Sequence, residues 1–225
     1  MPIIVIGGHT RNIGKTSVVA GLIAALPHLN FTAIKITQFG HNVCSANGEP
    51  CDCQTPDHTL AISEERDPST GTDTSRFLAA GAKQVFWVRT RQGELAEAMP
   101  RVRKLIAAAE NIILESNSVL RFLQPDLSLA VLDPSIPDFK PSALRYLDRT
   151  DAFILPAGAT LESLAQTHPW PGVSPKLLAR KLVFHTTPPT YTSPELIHFV
   201  STRLSESPQT LNKETQHMTM ARPHA

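Results

Sequence analysis

Residues Gly7 to Ser17 read GGHTRNIGKTS and stand between a continuous β-branched run, Ile3 to Ile6, and a helix-like segment, Lys15 to Leu26, that stops at Pro27. No other junction in the chain constrains the fold as strongly. A glycine-rich turn that leaves a strand buried on both faces and opens a helix gathers backbone N–H groups and the positive helix end at one point. A polyphosphate is the ligand such a turn suits. Gly14 lets the backbone approach closely, Lys15 can reach the terminal phosphates, and the Thr16 hydroxyl can ligate Mg²⁺. Gly8, His9, Thr10, Arg11, Asn12, Ile13, Gly14, Lys15, Thr16 and Ser17 are therefore the candidate phosphate-binding residues. The competing reading is an ordinary glycine turn before a helix, and the strand–turn–helix context weighs against it.

Apolar runs of strand length continue to alternate with helix-like segments. Strands are expected over Phe31–Thr37, Gln84–Arg89, Asn111–Leu114, Leu127–Leu132, Ala152–Leu155 and Leu182–Phe184. Helices are expected over Asp73–Ala80, Gly93–Ala109, Ser118–Phe122, Pro141–Asp148, Leu161–Gln166 and Pro194–Leu204. Such alternation implies parallel strands joined by right-handed crossovers. The expected fold class is α/β, a three-layer, doubly wound, mainly parallel sheet. The 225 residues suit one domain over residues 1–204, with an inserted loop at about 38–60 and a polar, aromatic-free tail over 205–225 that reads as frayed.

Charge narrows the partners. With 21 Lys and Arg against 20 Asp and Glu, net +1, the chain lacks the basic excess that drives nucleic-acid binding by counterion release. The longest apolar stretch, Val18 to Leu26, has nine residues, against roughly 20 needed to cross a bilayer. MPIIVIGGHT has no basic region ahead of its apolar run, unlike a secretory leader. Three cysteines make no complete disulfide framework, so a reduced, cytoplasmic setting is expected, with no nucleic-acid or membrane partner.

The loop is longer than the common G-x-x-x-x-G-K-[ST] form, since Gly8 stands six residues before Gly14. In this it resembles dethiobiotin synthetase, whose loop has the form G-x-x-x-x-x-G-K-T and which belongs to the P-loop NTPase class that includes the MinD-like ATPases and cofactor-maturation GTPases. GTDTSRFLAAGA, Gly71 to Ala82, is similar to the Asp-Ser-x-Arg segment ending in Ala-Gly-Ala of the MobB-type adaptors of molybdopterin-guanine dinucleotide biosynthesis. NIILESNSV, Asn111 to Val119, resembles the strand that ends in an acidic residue in both families. The likeness covers roughly the first 120 residues and implies a P-loop NTPase fold, a nucleoside triphosphate (ATP or GTP) and Mg²⁺.

Glu115 follows an apolar run and is expected at the carboxyl end of a central strand, where open α/β sheets bind ligands. There it can hold Mg²⁺ or orient an attacking group, although a plain surface glutamate is the alternative. The resemblance places an acidic metal or water ligand at Asp73, while the Thr72-Asp73-Thr74 run can equally cap the next helix. Lys15, Glu115 and Asp73 are the candidate catalytic residues, and Thr16, Glu115 and Asp73 the candidate Mg²⁺ ligands. Lys35 interrupts an apolar strand, so it either emerges at the sheet edge or approaches phosphate. Arg89 and Arg91 end another strand and are candidates for an anionic second substrate. Arg11 is either a cis stabiliser of transferred phosphoryl charge or a solvent-facing loop residue.

Gln38 to Leu60 carries no lysine or arginine, yet holds Cys44, Cys51 and Cys53 between His41 and His58. Thiolate and imidazole suit Zn²⁺, and four of these five side chains would complete a tetrahedral site. Ordinary reduced thiols, or a pairing of Cys44 under oxidation, are the alternatives, and neither resembled family requires the cluster.

No Asn-Lys-x-Asp base-reading motif occurs, and Pro156 stands where its asparagine is expected, which disfavours a Ras-like GTPase. Backbone around Pro156–Gly158 and His185–Pro188 is left to hold a base. Three functions fit: Mg²⁺-dependent nucleoside triphosphate binding and hydrolysis in a MobB-like maturation role, an ATP-dependent small-molecule ligase or kinase of the dethiobiotin synthetase kind, and a nucleotide-binding metal or redox sensor. A homodimer is an expected assembly.

Overall fold

A computed structural model describes residues 1–39, 60–160, 170 and 172–206 of the chain. Its centre is one eight-stranded sheet in the order β3-β4-β2-β5-β1-β6-β7-β8, numbered along the chain. The strands are β1 (Ile3–Gly8), β2 (Phe31–Phe39), β3 (Leu60–Glu64), β4 (Gln84–Arg91), β5 (Asn111–Glu115), β6 (Leu127–Val131), β7 (Ala152–Pro156) and β8 (Leu182–Thr186). All pairings are parallel except β3 with β4, so the doubly wound, mainly parallel α/β class is borne out.

The helices are α1 (Lys15–Ala25), α2 (Asp73–Ala79), α3 (Leu95–Ala107), α4 (Pro141–Leu144), α5 (Pro175–Leu178) and α6 (Pro194–Ser205). The continuous apolar runs alternate between the sheet's two faces. Ile4 and Ile6 of β1 and Ile113 of β5 pack with Val18, Val19 and Leu22 of α1 and Leu196 and Val200 of α6. Val5, Ile112 and Leu114 turn the other way, onto Ala98, Met99 and Val102 of α3. Three layers follow from strands apolar on both sides.

Four expectations change. Leu60–Glu64, of which only Leu60 fell in the expected loop and the rest was given no element, is the antiparallel edge strand β3. The helix expected over 118–122 is a single 3₁₀ turn, Ser118–Arg121, too short for an α-helical ladder. The one expected over 141–148 breaks into α4 and a 3₁₀ turn, Leu147–Arg149, and α5 was not expected at all. The helix expected over 161–166 and most of the 205–225 tail lie outside the described residues, and the described part of the tail, Ser205 and Glu206, ends and caps α6. Phe39 pairs with Arg91 on one side of β4, and Leu60 pairs with Thr90 on the other, so both ends of the 40–59 segment meet the same strand end.

Candidate functional site

The site lies at the carboxyl edge of β1, β2 and β5. β1 runs two residues beyond its expected end, to Gly8, where Asn117 clamps it. The Asn117 amide donates to the Gly8 carbonyl at 2.8 Å and its side-chain oxygen accepts from the Gly8 N–H at 2.8 Å. Asn12 and Gly14 then adopt positive φ, 56° and 88°. At Gly14 this left-handed turn, adjacent to the first helical residue, is one that a side chain would strain. The Gly14 carbonyl accepts the Val18 N–H at 2.9 Å, and α1 begins.

Lys15 is half-buried and its ammonium turns back onto the Thr10 carbonyl at 2.5 Å. Its pKa is lowered to about 8, first by burial, against the pull of Glu115 and Asp73 and with smaller lowering from Lys140 and Lys35. Thr16 donates its hydroxyl to Glu115 at 2.9 Å. Glu115, the last residue of β5, is 6% exposed, so its carboxylate faces inward rather than to solvent.

Lys35 is brought to this carboxylate by strand register. β2 and β5 align Lys35 with Glu115, and the ammonium lies 3.0 Å from Glu115 Oε1 and 3.4 Å from the Thr16 hydroxyl. A third contact, to the Asp73 carboxylate, completes the set. At Asp73 the capping and site readings divide between neighbours. The Thr72 hydroxyl caps α2 by accepting the Ser75 N–H at 3.1 Å, which frees the Asp73 side chain to reach Lys35. One turn on, Arg76 donates to the Ser17 hydroxyl at 2.8 Å, tying α2 to the loop.

The structure thus brings Lys15, Thr16, Glu115 and Asp73 together and adds Lys35. Two carboxylates and a hydroxyl converge on a point where a lysine ammonium stands, so the donor set already accommodates a cation. Hard oxygen donors of this number match Mg²⁺, which takes one or two carboxylates and completes its shell with water and phosphate.

Other expected residues are placed differently. His9 is fully buried, its N–H donates to the Val131 carbonyl at 3.2 Å, and its ring packs against Phe139 and Trp170. Burial lowers its pKa, which keeps the imidazole neutral. Arg11 is exposed. Arg89 stacks its guanidinium 4.3 Å from the Trp87 ring and donates to Ser63 at 2.9 Å, while Arg91 lies 3.5 Å from Glu94. Cys44, Cys51, Cys53, His41 and His58 fall outside the described residues, and among the described residues no group of three or more His, Cys, Asp or Glu is placed to hold a metal. No described helix is long and apolar enough to cross a membrane.

Sequence reasoning missed two features beside the loop. The Tyr191 ring lies against Gly14, within about 3.4 Å of where a Cβ would stand. Gly21 of α1 makes this approach possible, because a Cβ there would fall 2.3 Å from the Thr190 carbonyl oxygen. His185 Nε2 lies 2.7 Å from the Ala159 carbonyl and joins the ends of β7 and β8, the two stretches expected to hold a base. The second missed feature is Lys140, whose charge opposes those of Lys15 and Arg11. Neither residue has a periodic signal in the sequence.

No protein-family profile matches the chain, and no match is found among curated proteins. Solved structures do resemble it. HypB from Helicobacter pylori, in complex with nickel, aligns with a TM-score of 0.44 at 14% identity over 99% of this chain and 90% of that one. LpxK from Aquifex aeolicus, in complex with ATP, gives 0.44 at 19% identity over 82% of this chain, which spans about half (53%) of that protein. The MinC:MinD cell division complex of Aquifex aeolicus gives 0.38 at 13% identity over 100% of this chain and 98% of that one.

Proposed function

We propose that the chain binds a nucleoside triphosphate with Mg²⁺ and hydrolyses it, in a cofactor-maturation role of the MobB kind. One observation carries the reading. The Lys15 ammonium is folded onto its own loop at Thr10, within the same edge where Thr16, Glu115 and Asp73 converge. A lysine whose burial lowers its pKa to about 8 even with Glu115 and Asp73 nearby, and whose ammonium donates to a loop carbonyl, is stabilised by an incoming polyphosphate.

The amides of Gly8 and His9 are committed to Asn117 and Val131, so phosphate recognition falls to the loop beyond them, Thr10 to Ser17. Tyr191 and the joined ends of β7 and β8 supply the wall for a base. Thr16, Glu115 and Asp73 would hold Mg²⁺, which neutralises phosphate charge when bound. Lys35 then shares the acidic pair and adds a second cation beside the reacting phosphate. In hydrolysis the water oxygen bonds to the terminal phosphorus, the bond to the bridging oxygen breaks, and nucleoside diphosphate, phosphate and a proton result. Glu115 is the group in place to orient that water.

Calorimetric titration of MgATP and MgGTP into wild type and Lys15→Ala tests the reading. Binding to wild type and its loss in the variant are expected, and equal behaviour of the two proteins overturns it. A Zn²⁺ site at Cys44, Cys51, Cys53 and His41 or His58 rests on ligand chemistry alone. Metal content of freshly purified protein, with Cys51→Ser as control, decides it.

A further inference from the structure

α2 presents two charged side chains to the phosphate edge. Asp73 and Arg76 stand three residues apart, the spacing that makes helical side chains neighbours. Asp73 meets Lys35 at the acidic end of the site. Arg76 instead reaches over the start of α1, where its Nη2 donates to the Ser17 hydroxyl at 2.8 Å. Arg76 is exposed, and no described carboxylate pairs with it. A guanidinium carries five N–H donors in a rigid fork that fits phosphate oxygens. Ser17 thus fixes the position of a cation that has no counter-charge beside it.

α1 determines which phosphate that cation meets. Gly14, Ser17 and Gly21 are spaced by three and four residues, so they share one side of the helix. Tyr191 lies against Gly14, and the Thr190 carbonyl lies against Gly21. The first intrahelical bond is from the Val18 N–H to the Gly14 carbonyl, so the Ser17 N–H has no acceptor within the helix. In the reading above, Lys15 and Thr16 serve the terminal phosphates and Mg²⁺, while Tyr191 walls the base. A nucleotide that spans these two ends carries its innermost phosphate past Ser17.

We infer that Arg76 binds the phosphate nearest the nucleoside, the α-phosphate, together with the Ser17 N–H. The inference rests on the nucleotide reading above. Ser17 holds the fork in place before the nucleotide arrives, and the fork then donates to one non-bridging α-oxygen. Nucleoside di- and triphosphates both carry that group, so Arg76 serves both alike.

The test titrates Mg²⁺ complexes into the full chain as wild type, Arg76→Gln and Arg76→Lys. The probes are ADP, GDP, non-hydrolysable ATP and GTP analogues, and the separate Sp and Rp diastereomers of the α-thio diphosphates. One charge-assisted hydrogen bond corresponds to a factor of about ten. Arg76→Gln is expected to weaken di- and triphosphate binding equally, by about that factor, and Arg76→Lys by less. Sulfur in one diastereomer replaces the oxygen that Arg76 holds. For that diastereomer the loss in Arg76→Gln should shrink to less than about threefold, while for the other it stays near tenfold. Equal loss with both diastereomers shows that Arg76 merely ties α2 to α1, and overturns the inference. Loss confined to triphosphates places Arg76 at the terminal phosphate and also overturns it. If wild type binds no nucleotide, the nucleotide reading fails and takes the inference with it. If wild type binds and Arg76→Gln binds identically, only the inference fails. Thermal melting confirms that each variant is folded, and Arg76→Lys carries the same diastereomer comparison should the glutamine variant not fold.

Discussion

Lys35 and Glu115 face each other across adjacent parallel strands, and their side chains meet 3.0 Å apart at the carboxyl edge of the sheet. Backbone register alone places a strand lysine against a strand carboxylate, and α2 adds Asp73 from outside the sheet. The ion pair is largely buried at both ends, with side-chain exposures of 15% and 7%, so each charge depends on the other.

Removing the lysine tests that dependence. Lys35→Met leaves Glu115 and Asp73 facing one another without a cation. The variant is expected to lose about 1–3 kcal/mol of stability in urea titrations, the cost of an uncompensated buried group. It is also expected to bind Mg²⁺ without nucleotide about tenfold more tightly than wild type, by calorimetry. Unchanged Mg²⁺ affinity would show that the two carboxylates do not act on one cation.

Lys15 makes nucleotide binding pH-dependent. Its pKa in the free protein is lowered to about 8, so above that pH the amine is increasingly neutral. Phosphate favours the charged form and raises the pKa again. Binding is therefore expected to take up protons above pH 8 and to weaken as the pH rises. Calorimetry at pH 8.5 in buffers of different ionisation enthalpy measures the uptake, and Lys15→Arg, which stays charged, should show little of it.

His9 sets part of the acid limit of the fold. Its folded pKa is depressed by burial, while in the unfolded chain it titrates near the ordinary value of about 6.5. Between those two pKa values the unfolded state binds the extra proton, so stability falls as the pH drops below about 6.5. Urea midpoints at pH 7 and pH 5 are expected to differ less in His9→Gln than in wild type, after allowance for the variant's lower starting stability. Equal differences would remove His9 from the acid response.

Trp170 offers an optical readout of the loop. The sequence holds two tryptophans, and Trp87 is remote from His9, bonded to Thr37 at 3.0 Å. In Trp87→Phe, nucleotide binding is expected to change Trp170 emission, because its indole packs on His9 of the phosphate loop. His9→Leu should abolish most of that change while nucleotide is still bound. A Trp170 signal blind to nucleotide would mean that the loop does not move His9 when it fills.

The parallel sheet was legible because its strands are apolar on both faces and read as unbroken runs, as in Ile3–Ile6 and Asn111–Leu114. β3 was not, since an edge strand half-buried over Leu60, Ala61 and Ile62 needs no such run. Within the site, Lys15, Thr16 and Glu115 were marked by motif and by position at a strand end. Lys35 was marked by a charge inside an apolar strand, although its pairing with Glu115 and Asp73 was not. Lys140 and Tyr191 were invisible because what locates them is tertiary: a backbone bond to His9 in one case and the closeness of α1 to Thr190 in the other. His9 shows the reverse error. Its place in the motif suggested ligand contact, while its side chain serves packing.

The strand end shared by Phe39 and Leu60 has an architectural consequence for the cysteine-bearing stretch between them. Pairing on either side of β4 holds the two anchors two interstrand steps apart, about 10 Å. A bridge of a few residues spans that distance, so the sheet closes whether the intervening chain is short or long, and extra length adds only slowly to the closure entropy. Phe39 and Leu60 thus frame a socket: a position where sequence can be inserted, exchanged or trimmed while the strands that carry Lys35 and Glu115 keep their register.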